Sequence, residues 1–394
     1  GAGPASASAA VPALALIASA TSGRRLRRAA PPRREALAAA AAVVASSAGV
    51  DHVLAANPAA AVPTQAAPFH EVYEVNGLDL RKLAAGEGWE QRLADHDVVL
   101  LGEHHNSAPD HSLELLIVER LRERAAKESR PVAVGMEMVQ RRFQGVLDSY
   151  TSGKLTDNEL YTGVEWSKRW SWPFELSLPI FQACREKGIR LVALNTDSEV
   201  LGKVERGGLE ELSKEDWARF IPDRGGFANM GKDEGFKAYL KRVIVPSYYL
   251  HDRLGILKMT VTGQALEENM SLNHFVGGRV LWDETMAGSA VQYLSSEEGR
   301  GGLMCVLVGG DHVKYKYGLR ARMERLASRE SGGIPGRNGR PLRVASVMLN
   351  PGGGDALAQD GPIRVPTPTG GTTVLPFCDY VFSSEPGSSS PLSA

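Results

Sequence analysis

Residues 97–105 read DVVLLGEHH: four apolar side chains, Val98 to Leu101, run into a glycine, a carboxylate and two imidazoles. A short continuous apolar run closed by glycine predicts a strand buried on both faces, as in a parallel sheet. The polar cluster then falls just past the strand's carboxyl end, where open α/β sheets bind ligands. The chain repeats this device. Residues 304–312 read MCVLVGGDH, again an apolar run, glycine, two residues and histidine, while 132–137 (VAVGME) and 191–197 (LVALNTD) end similar runs in polar side chains. As parallel neighbours the four strands would converge Glu103, His104, His105, Glu137, Asn195, Asp197, Asp311 and His312 on one rim. The expected fold class is α/β, a parallel β-sheet flanked by helices with a smaller helical cap domain.

The 394 residues, 43% hydrophobic and 23% charged, describe a globular chain of one large or two smaller domains. The formal charge of −1 hides an asymmetry: residues 1–50 hold six arginines against one acid, Glu35, and the rest holds 39 basic and 45 acidic residues. An acidic body argues against nucleic acid as a partner. Three scattered cysteines, Cys184, Cys305 and Cys378, form no CxxC pair and indicate neither a disulfide framework nor a thiolate zinc site.

Residues 1–61 have the composition of a targeting leader, rich in Ala, Ser, Pro and Arg. Arg33 and Arg34 precede an alanine-rich apolar core at 36–45, and Ala59, Ala60 and Ala61 supply a small-residue cleavage site. An export-type signal behind an Arg/Ser-rich transit peptide predicts routing to the chloroplast, and within it to the thylakoid lumen; one long stromal or mitochondrial presequence is the alternative. Neither the core at 36–45 nor a second apolar stretch at 10–20 reaches the roughly 18–20 residues needed to span a bilayer, so no transmembrane segment is expected in the mature chain.

The body, 62–382, divides into sheet-forming segments at about 70–139, 188–198 and 300–350 and helical cap material at about 140–187 and 199–298, with a disordered tail at 383–394. Asn106, Ser107, Ala108 and Pro109 form a helix-start signal, and Leu113, Leu116, Ile117 and Leu121 recur on one helical face behind it. Residues 70–80 read as a leading strand or loop, and 317–329 as a helix.

Histidine and carboxylate at strand ends suit a divalent metal, whose usual ligands are imidazole nitrogen and carboxylate oxygen. Glu103, His105, Glu137 and His312 are the expected metal set. In an enzyme, Glu103 or Glu137 would act as general base to a bound water. His104, His105, Asn195, Asp311, His312 and Tyr317 are the expected cofactor contacts; His111, His251 and His274 read as structural. The aromatic run from Trp166 to Phe174 reads as packing core.

The motifs GEHHN at 102–106, GMEM at 135–138, WSKRWSWPFE at 166–175, LWDETMA at 281–287 and GGDHVKYKYGL at 309–319 resemble, in this order, the ChaN-like haem-binding uptake proteins of the wider Tiki/TraB/erythromycin-esterase superfamily. The similarity spans about residues 70–350. It implies a pocket around Glu103, His105, Glu137 and His312, and a haem held through a tyrosine, for which Tyr150, Tyr161, Tyr248 and Tyr249 are the candidates. Three readings follow: a haem, tetrapyrrole or iron-binding protein of the plastid, its ligand under the cap at the rim; a metal-dependent hydrolase using the paired GxxH motifs; or a non-catalytic lumenal auxiliary factor in peripheral contact with a thylakoid membrane complex.

Overall fold

The apolar run that follows Asp97 is strand β3 (Val98–Glu103), and all four of Val98, Val99, Leu100 and Leu101 are fully buried. Each contributes about 1.5–3 kcal/mol by leaving water. The computed structural model describes residues 70–384 except 78, 85, 329–339, 353–354, 356–362 and 367–369. The leader, and the tail from residue 385, lie outside the described residues.

Around β3 the chain places β1 (Glu71–Asn76), β2 (Asp79–Lys82), β4 (Val132–Gln140), β5 (Arg190–Asn195), β6 (Leu303–Gly309), β7 (Val344–Leu349) and β10 (Tyr380–Ser383) in one eight-stranded sheet. Its order is β2-β1-β10-β7-β3-β6-β4-β5. Every pairing from β10 to β5 is parallel, and only the edge hairpin β1–β2 and its contact with β10 are antiparallel. Strands β8 (Ile363–Pro366) and β9 (Thr372–Leu375) form a separate antiparallel pair.

Side chains alternate across the pleat, so each strand serves two cores. Val98, Leu100, Leu194, Val306 and Val308 join Met286 and Ala290 of the helix Leu272–Ser295 on one face. Val99, Leu101, Leu191, Cys305 and Leu307 join Leu113 and Ile117 of the helix Ala108–Ala126, and Phe181 and Cys184 of the helix Phe174–Lys187, on the other. This two-sided burial is why the strands read as unbroken apolar runs.

Three expectations change. The helices read from sequence as one cap divide between the faces: those from Gln144 to Lys187 pack with the second core, those from Ser198 to Ser295 with the first. Each is the return path of a parallel crossover, which has to lie on a face of the sheet. Ser383, expected to open the tail, instead closes β10, a strand whose short segment carried no strong period. The helix expected from 317 starts at Arg320, because Tyr315 and Lys316 adopt left-handed backbone (φ 57° and 62°) just before it.

Candidate functional site

Strands β3, β6 and β4 are adjacent and level, with Glu103 opposite Gly309 and Met136 opposite Leu307. After β3 the chain turns onto one face, through a helix capped by Ser107, which accepts the Asp110 N–H at 3.3 Å, with Pro109 in its first turn. After β6 it reaches the helix Arg320–Leu326 on the opposite face. Divergent exits from neighbouring parallel strands open a crevice at their carboxyl ends, and Glu103, His105, Glu137 and His312 converge there.

His105 Nδ1 lies 2.7 Å from Glu103 Oε1 and donates to it. That hydrogen bond fixes the tautomer, leaving the lone pair on Nε2. The ring lies against the Cα of Gly309: a Cβ at 309 would stand 2.8 Å from His105 Nε2 and 2.9 Å from Cε1. Glycine is required here for close approach. Trp170 (4.9 Å between ring centroids, edge-on) and Trp172 (5.8 Å) pack beside the imidazole.

Glu137 is 1% exposed. Its Oε2 accepts the Gly309 N–H at 2.6 Å, and its Oε1 lies 3.2 Å from His312 Nε2. His312 Nδ1 is 2.5 Å from Asp283 Oδ1. Burial opposes the charge on Glu137, but His312, His105 and the Gly309 amide outweigh it and bring the carboxyl down to about 2. Burial likewise opposes protonation of His312, and the carboxylates of Glu137 and Asp283 outweigh it, raising the imidazole to about 9. At neutral pH His312 is therefore an imidazolium between two carboxylates, with no lone pair for a metal until it loses a proton.

The other expected contacts do not join this cluster. His104 turns outward, its Nδ1 2.8 Å from Asp110 Oδ2 and its Nε2 3.1 Å from Asp355 Oδ2, and these carboxylates raise it to about 10. Asp355 also pairs with Lys314 (2.9 Å), which pairs with Asp311 (2.8 Å). Asn195 donates to the Glu137 main-chain carbonyl at 2.7 Å and braces β4 where its register shifts. Asp197 lies between Arg142 (3.2 Å) and Arg219 (3.3 Å). Tyr317 donates to Asp233 at 2.8 Å, beside Phe236 and Tyr239.

A second constellation lies behind the first. Glu103 Oε2 is 3.0 Å from His111 Nδ1, which is 2.9 Å from Glu114 Oε2. His111 Nε2 is 3.1 Å from the His105 carbonyl oxygen. Of the four tyrosines, Tyr150 is buried and donates to Asp157 at 2.7 Å, Tyr161 packs on Phe174, and Tyr248 donates to the Met270 carbonyl at 3.1 Å. Tyr249 is 52% exposed.

Sequence reasoning missed Asp283, His111, Glu114, Trp170 and Trp172. A signal existed for three of them: Asp283 interrupts an apolar helix, and His111 and Glu114 share a helical turn with the core residues Leu113 and Ile117. A charged group on a core face demands a partner.

Residues 89–323 match the family described as haem-binding uptake, Tiki superfamily, ChaN. The chain is 28% identical over 250 residues to Protein RETICULATA-RELATED 5, chloroplastic, of Arabidopsis thaliana; the match takes in 62% of this chain and 31% of that protein, about a third of the relative's length. Among solved structures it is similar to ChaN of Campylobacter jejuni, described with cofacial haem binding, at 16% identity and a TM-score of 0.50, over 79% of this chain and 96% of the other. That likeness concerns the fold.

Proposed function

The chain belongs to the ChaN haem-binding uptake family of the Tiki superfamily, and on that premise we propose that it holds haem on the helical face around Tyr249, with the Tyr249 phenolate as the iron ligand. The observation that carries this reading is where large apolar side chains stay in water: among the described residues, Tyr249 (52%), Leu250, Met259 and Val261 are the exposed large hydrophobics, all within residues 249–261. Contiguous exposed apolar surface marks binding, and these four side chains come from one short segment. A porphyrin needs a flat apolar face, an axial donor and cations for its propionates; tyrosinate is an established axial ligand of haem iron. Exposed Lys241, Arg253 and Lys258 supply the cations on the same segment.

The rim, where the sequence reading placed the ligand, offers less to a macrocycle. Glu103, Glu137, Asp283 and His312 are buried and ion-paired with neighbouring side chains. The test is titration of ferric haem into the full chain. Tyr249→Phe is expected to lose the Soret change, and Tyr248→Phe, whose hydroxyl serves Met270, to keep it. Saturable binding that survives Tyr249→Phe overturns the assignment. The leader and the chloroplastic relative support a plastid location, with the thylakoid lumen as the compartment; import and protease protection in isolated chloroplasts check it.

One observation favours a second reading, hydrolysis. The Glu103–His105 pair leaves His105 Nε2 without a hydrogen-bond partner among the described residues, beside Trp170 and Trp172. This is the arrangement of a general base oriented by a carboxylate. Esterase or peptidase turnover that disappears in His105→Gln while haem binding persists would establish it.

A further inference from the structure

We infer that Glu103, His111 and Glu114 form a binding site for a divalent first-row transition ion, behind the rim cluster with which it shares Glu103, and apart from the haem face. Glu103 comes from the end of β3, and His111 and Glu114 from the first two turns of the helix Ala108–Ala126. One donor atom from each lies within 4.8 Å of the others, and exposures are 3%, 5% and 0%.

Hydrogen-bond accounting supplies the argument. His111 Nε2 faces the carbonyl oxygen of His105, which can only accept, so Nε2 carries a hydrogen. In a neutral imidazole that places the lone pair on Nδ1, directed at Glu103 Oε2 (3.0 Å) and Glu114 Oε2 (2.9 Å). Three electron-rich atoms then face one another in a buried place, an arrangement that calls for protons or a cation among them. A proton on Nδ1 given to Glu114 Oε2 leaves the other carboxylate short: Glu103 Oε2 is buried with no hydrogen-bond partner. Without an ion the cluster balances its charge by holding protons on His111 Nδ1 and on one carboxyl, and a divalent ion would replace both. Two carboxylates, a neutral imidazole and a divalent ion sum to zero.

The ligand geometry agrees. Separations near 3 Å are what ligands about 2.1 Å from one ion make at a right angle. The donation from Nε2 to a main-chain carbonyl is how metal-bound histidines are oriented. One nitrogen and two carboxylate groups suit manganese, iron or zinc. Glu103 would then join two centres, holding the ion through Oε2 and the His105 ring through Oε1. The assignment does not depend on where haem binds, because none of the three residues belongs to the Tyr249 segment.

The test uses the full chain, stripped with chelator, dialysed against zinc and then against buffer, with metal counted by mass spectrometry and folding checked by circular dichroism. The wild type is expected to keep one equivalent, His111→Ala and Glu114→Gln to lose it, and His312→Gln and Tyr249→Phe to keep it. X-ray absorption on the loaded wild type reads the same question without a variant, and one imidazole with oxygen donors is expected. A chain that retains no zinc, a folded Glu114→Gln that retains it, or a shell with two imidazoles overturns the inference.

Discussion

Replacing His312 by glutamine removes the cation that neutralises two buried carboxylates. The imidazole sits near 9 in the folded chain against about 6.5 in the unfolded one. A group raised on folding stabilises fully below its unfolded value, and that contribution disappears as pH rises through the folded value. Between the two values the folded chain holds the extra proton, so stability falls by up to about 1.4 kcal/mol per pH unit, and at pH 7 the protonated ring is worth about 2–3 kcal/mol. Removing one partner of a buried pair costs about 3–5 kcal/mol, since Glu137 and Asp283 are left uncompensated. The assay is urea unfolding at pH 6, 7, 8 and 9 for wild type and His312→Gln. His104 and His111 are also raised, to about 10 and 9, so the wild-type curve falls for more than one reason. The difference between the proteins isolates His312: it should be largest at pH 6 and shrink by about 2–3 kcal/mol by pH 9. A difference that stays constant with pH refutes the imidazolium.

Gly309→Ala has no backbone penalty, since φ there is −57°, yet its methyl meets the His105 ring at 2.8 Å; a loss of about 1–3 kcal/mol and altered fluorescence from Trp170 and Trp172 are expected, and an unchanged protein would place the ring elsewhere. Glu205, raised to about 7 chiefly by burial, accepts the Val261 N–H at 2.7 Å. An acid raised on folding destabilises once ionised, so stability should fall as pH climbs from about 4.5 through 7, and the slope of that fall should be smaller in Glu205→Gln.

The central strands were legible because burial on both faces leaves an unmistakable apolar run, and the glycines ending the runs at 98–101 and 304–308 marked where polar groups would gather. What the sequence left open was direction. His104 and His105 are adjacent, so in extended or turning backbone they diverge; one meets Asp110 and Asp355, the other Glu103. Asp283 was invisible as a partner of His312 because 29 positions and a crossover separate them. Trp170 and Trp172 read as core alongside Trp166, yet only the fold brings them to His105. Tyr249 was one tyrosine among four until exposure separated it from the other three.

The most direct test of the haem assignment is electron paramagnetic resonance with resonance Raman on the ferric-haem complex of the full chain. The account predicts a high-spin iron with a tyrosinate–iron vibration, present in the wild type and in His312→Gln and missing in Tyr249→Phe. A histidine-ligated spectrum that vanishes on substitution of His105 would contradict it and return the ligand to the rim.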